Sequence, residues 1–114
     1  MGRHETTAHH DRILRELSEE RVAALVRISR TLESLIDQLH EQRERVARAA
    51  DYDRARERAA YHELRQVAIR YRWYLEVQRE AMGLRYHHRL DEFYQIPSLD
   101  AEPVSRNNSG RPID

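Results

Sequence analysis

The sequence predicts an all-α fold, an antiparallel helical hairpin with a short third helix that forms a bundle by dimerisation. Three observations carry that expectation. Neither Gly nor Pro occurs between Arg3 and Met82 in a chain of 114 residues, so nothing punctuates the backbone there. That stretch is rich in Arg, Glu, Ala and Leu, which are good helix formers. Its large apolar residues recur at three- and four-residue steps, and no segment pairs strand alternation with flanking turn signals.

The first helix is expected over about 9–50, behind a flexible lead of residues 1–8, with Thr7 to Asp11 offering capping oxygens. Leu25, Ile28, Leu32, Leu35 and Leu39 form its stripe, and Leu14, Leu17, Ile36 and Val46 extend the same side. The stripe is broad enough for a bundle face rather than only a coiled-coil seam. Arg21 interrupts it, a position where a long side chain can lay its stem along the groove and keep its head in water.

Between Arg43 and Ala60 the large apolar side chains nearly vanish, and Asp51-Tyr52-Asp53 is the best turn candidate. One unbroken helix is the rival, but it would put Asp53 and Glu57 on the apolar stripe, where burying a carboxylate is costly. The second helix is expected over about 54–82, ended by Gly83, with Leu84 folding back over the glycine cap. A third, short helix is expected over about 86–94, where Leu90, Phe93 and Tyr94 share a face before Pro97. The helical domain thus spans 9–96, and the tail 97–114 has a disordered composition.

The second helix carries two apolar faces. Leu64, Val67, Ala68, Tyr71, Leu75 and Met82 cluster within about 60° of Leu64 on a wheel of about 100° per residue. Ile69, Trp73, Val77 and Leu84 fall on the opposite side. A hairpin covers only one of these, so the Trp73 stripe needs the third segment, a second copy or another protein. The expected activity is therefore non-catalytic: a protein-interaction or assembly module, a homodimer or partner binder, acting through Ile69, Trp73, Val77 and Leu84.

The 20 basic residues balance 20 acidic ones, so net charge does not point to nucleic acid. A local surplus does exist: residues 43–72 hold nine Arg against five acids, and Arg70-Tyr71-Arg72-Trp73-Tyr74 interleaves arginine with aromatics. Nucleic-acid binding through Arg65, Arg70 and Arg72 is the alternative, weakened because Tyr71 and Trp73 lie on opposite faces and cannot make one stacking platform. A metal-binding bundle is the second alternative, suggested by seven His and by Asp37-x-x-His40. The wheel diverges Asp37, His40 and His62, so no metal ligands and no cofactor are assigned.

All 20 basic residues are Arg, which excludes Schiff-base and phosphate-loop lysines, and zero Cys excludes thiolate chemistry. Gly-rich phosphate loops, nucleophile elbows and His-Glu-x-x-His are absent, so no catalytic residue is assigned. No run is apolar enough for a membrane span, and Met1-Gly2-Arg3-His4-Glu5-Thr6 lacks the apolar core of a secretory signal. Its match to a myristoylation pattern is read as coincidence. The expected location is the cytoplasm.

Overall fold

A computed structural model describes the backbone of residues 2–99. Three helices follow in order, α1 (Gly2–Arg48), α2 (Asp51–Ala81) and α3 (His88–Phe93). Among the described residues there is no strand. Gln42 bonds Glu57 near one end of the pair and Arg21 bonds Ala81 near the other, so α1 and α2 run antiparallel. The chain is a hairpin, not one continuous helix.

The hairpin core follows the sequence stripes. Leu32, Leu35, Leu39 and Val46 of α1 are buried against Tyr61, Ala68 and Leu75 of α2, with Leu25, Ile28, Leu64, Val67 and Tyr71 packed around them. Gln42 occupies the seam between Leu39 and Val46 and is buried as well. Its amide donates to the Glu57 carbonyl at 3.0 Å and to the Glu57 carboxylate at 2.6 Å, which satisfies its two donors. The hairpin thus also brings Glu57 to the seam, where Gln42 supplies its donor.

The turn lies at Ala49-Ala50, two residues ahead of the expected Asp51-Tyr52-Asp53. Ala50 is extended at φ −65° and ψ 157°, which reverses the chain without glycine or positive φ. Asp51 and Asp53 instead fill the first turn of α2, where their charge complements the helix dipole. Arg54 closes the corner. It donates to the Ala49 carbonyl at 2.6 Å, at the end of α1, and pairs with Asp51 at 2.8 Å.

Gly83 ends α2 with φ 86°. The Gly83 amide donates to the Glu80 carbonyl at 3.0 Å and the Leu84 amide to the Arg79 carbonyl at 2.9 Å, the paired bonds of a Schellman cap. The link to α3 is then held by Arg79, which donates to the Tyr86 carbonyl at 2.6 Å and to His87 Nδ1 at 3.4 Å. His87 donates in turn from Nε2 to Glu80 at 3.0 Å.

From α3 the chain runs back along the hairpin. Leu90 is buried, and Tyr94, Ile96 and Leu99 pack on the core. Tyr61 donates its hydroxyl to the Pro97 carbonyl at 2.7 Å, and Arg65 Nε donates to the same oxygen at 2.9 Å. Pro97, expected to open a disordered tail, is therefore anchored; residues 100–114 lie outside the described residues.

The start of α1 also differs from expectation. Residues 2–8, expected as a flexible lead, already belong to the helix, because nothing in them breaks it once the roughly eight turns from Arg21 to Arg48 are set by packing. At about 1.5 Å per residue α1 is roughly 70 Å long and α2 roughly 46 Å. Since Arg21 lies level with the end of α2, the first 20 residues or so of α1 project beyond the hairpin as a single-helix arm.

Candidate functional site

The candidate site is the outward face of α2 in the half nearest the open end of the hairpin. Leu64, Val67, Ala68, Tyr71 and Leu75 are taken up by α1, so Ile69, Trp73 and Val77 are turned away from it. Trp73 is 59% exposed, Ile69 38%, Val77 39% and Leu84 44%. Tyr74 flanks the row, its ring 5.7 Å from the indole and 5.3 Å from Tyr71, a chain of aromatic contacts that holds the indole in place.

The sequence left open whether the third segment covers this row. It does not. Leu90, Ile96 and Leu99 fill a different groove of the hairpin, and Phe93 remains exposed. Of the row, Ile69 lines a shallow groove of about 380 Å³ together with Arg65, Arg72, Asp91, Tyr94 and Ile96.

The path of the third segment is set by a feature that residue types do not display, a backbone carbonyl. The Pro97 oxygen sits over the fully buried Tyr61 and receives two donors. Burial pushes the Tyr61 phenol above its ordinary pKa, while the charges of Arg43 and Arg65 pull it back in part. A phenol held protonated is a donor, which suits the bond it makes.

The three arginines of the nucleic-acid alternative do not share one surface role. Arg65 is half-buried under Pro97, and Arg72 is half-buried between Glu76, at 3.3 Å, and Asp91. Only Arg70 is exposed. Several arginines at the turn end are also engaged by neighbouring acids, Arg48 by Glu44, Arg54 by Asp51 and Arg56 by Asp53. Asp37, His40 and His62 are all exposed, and among the described residues no group of three or more His, Asp or Glu converges on a point. Among the same residues no helix is long and apolar enough to cross a membrane.

A second apolar surface was not legible as such in the sequence. Leu14 and Leu17, which continue the α1 stripe, are 51% and 47% exposed because they lie on the arm beyond the end of α2. Ile13 beside them is exposed too. Arg21 marks the boundary: its guanidinium donates to the Ala81 carbonyl at 3.3 Å, placing a cation at the negative end of α2. The stripe is thus interrupted where the helix it faces stops. No family model matches the chain, and comparisons with curated proteins and with solved structures gave no match either.

Proposed function

We propose that this chain is a non-catalytic helical assembly module that self-associates through Ile69, Trp73 and Val77 on the outward face of α2 and Leu84 just beyond its glycine cap. The observation that carries the reading is the exposure of the indole in a chain that has already used its third segment elsewhere. A contiguous apolar row of this kind, centred on a tryptophan and flanked by a tyrosine, has the composition of an interface core. The thinness of a two-helix hairpin adds an energetic reason, since small domains of this type gain most of their missing burial by pairing.

A covered aromatic side chain hides about 150–250 Å². With 59% of Trp73 exposed, on the order of 100–150 Å² remains for a partner to cover. At about 25 cal/mol per Å² that is worth about 3 kcal/mol per indole, roughly a hundredfold in dissociation constant. Sedimentation equilibrium tests it against the 13.7 kDa protomer mass. Wild type is expected to sediment as a dimer and Trp73→Ala as a monomer at the same micromolar concentration, with helix content unchanged. A wild-type monomer at high concentration would remove the reading.

A further inference from the structure

We infer that the surface covering the Trp73 row is the N-terminal arm of a second copy, so that two hairpins exchange arms across their open ends. This rests on the self-association reading above and names the element that performs it. Each chain has two uncovered apolar surfaces, the arm with Ile13, Leu14 and Leu17 and the α2 row with Ile69, Trp73 and Val77. The arm cannot fold back onto its own row. α1 is one helix from Gly2 to Arg48, and neither Gly nor Pro interrupts it after Gly2, so no hinge is present. Among the described residues nothing covers the arm, and a second molecule can.

A second copy answers both vacancies at once. A two-fold axis across the open ends puts one arm on each row and leaves neither over, which closes the assembly at two chains. The lengths agree. Residues 9–21 of the arm span roughly 18 Å, and Ile69 to Ala81 covers the same distance along α2. The level is fixed by the hairpin itself, because Arg21 lies beside Ala81 in each chain. When the two open ends abut, the partner's arm therefore runs parallel to α2 with its arginine at the level of Glu80 and Ala81.

The side chains then fall into register. Leu14 precedes Arg21 by seven residues, as Trp73 precedes Glu80, so leucine meets indole and arginine meets glutamate. Four residues further back, His10 meets Ile69. With these seams facing each other, Ile13 and Leu17 lie on the side of the arm that meets Tyr74 and Val77. The only charge pair on the seam is of opposite sign, which favours this register over a slip by one turn.

The native chain has no cysteine, so engineered pairs report without background. The test mixes a Leu17→Cys chain with a Val77→Cys chain, both at exposed positions, and oxidises the mixture and each chain alone. The mixture is expected to give an interchain disulfide that neither chain forms by itself, while wild type measured in parallel has the mass of a dimer. If Leu17→Cys alone crosslinks, arms pair with arms, and the exchange is overturned while self-association stands. A dimeric mass with no disulfide in any sample also overturns the exchange. A monomeric wild type with no disulfide overturns both.

Discussion

Tyr61→Phe isolates the bond that holds the third segment to the hairpin. The ring stays, so the fully buried core position keeps its packing, and only the 2.7 Å hydrogen bond to the Pro97 carbonyl is lost. That oxygen retains Arg65 Nε at 2.9 Å, so it is not orphaned, and the cost should be that of an ordinary bond, about 0.5–1.5 kcal/mol. Arg65→Met, which keeps the stem and has no donor, should cost a similar amount. Together they leave the carbonyl with neither donor, and the double variant should lose more than the sum of the singles, by about 1 kcal/mol. Urea unfolding at fixed protomer concentration measures all four corners of the cycle, because association makes apparent stability depend on concentration. Limited proteolysis of the segment after Gly83 gives an independent readout, with faster cleavage in the double variant. Strict additivity, together with unchanged cleavage, would refute the idea that one carbonyl anchors the segment.

The same phenol has a pH signature. Its pKa is higher in the folded chain than in the unfolded one, so the folded state binds the proton more tightly in the alkaline range. Stability from this group is unaffected below about pH 10 and falls as pH rises from there toward the folded value; Tyr61→Phe should flatten that part of an alkaline stability profile. Gln42→Leu should destabilise by about 1–3 kcal/mol, since the half-buried Glu57 carboxylate loses its 2.6 Å donor and keeps Arg56 only at 4.0 Å. Adding Glu57→Leu should recover most of that loss in a thermal melt. Gly83→Ala meets no atom within 4 Å, so its cost should be the conformational one alone, about 1–2 kcal/mol, visible as fraying of the end of α2 in amide exchange.

Much of the hairpin was legible because its signals are local. The lack of Gly and Pro gave the helices, the three-four spacing of Leu32, Leu35 and Leu39 gave the buried side of α1, and Gly83 gave the end of α2. The turn was misplaced by two residues because Asp51 and Asp53 are good both as turn residues and in the first turn of a helix, and only the corner bond from Arg54 to the Ala49 carbonyl decides between the two. The route of the third segment was out of reach, since its anchor is a backbone oxygen that every residue possesses. The arm was hidden for a related reason: Leu14 and Leu17 share the periodicity of the core leucines, and their exposure depends on where α2 stops. The two faces of α2, by contrast, could be separated on the wheel, and the structure turns Trp73 away from α1.

Because Trp73 is the only tryptophan in the chain, its fluorescence reports on the proposed interface alone. The most direct test is the emission maximum followed through a dilution series, with helix content checked at each point. A covered indole predicts blue-shifted emission at high concentration that moves to the red on dilution, in step with a halving of the mass. Emission typical of a water-exposed indole that stays constant across the whole series, in a chain that remains fully helical, would contradict the account.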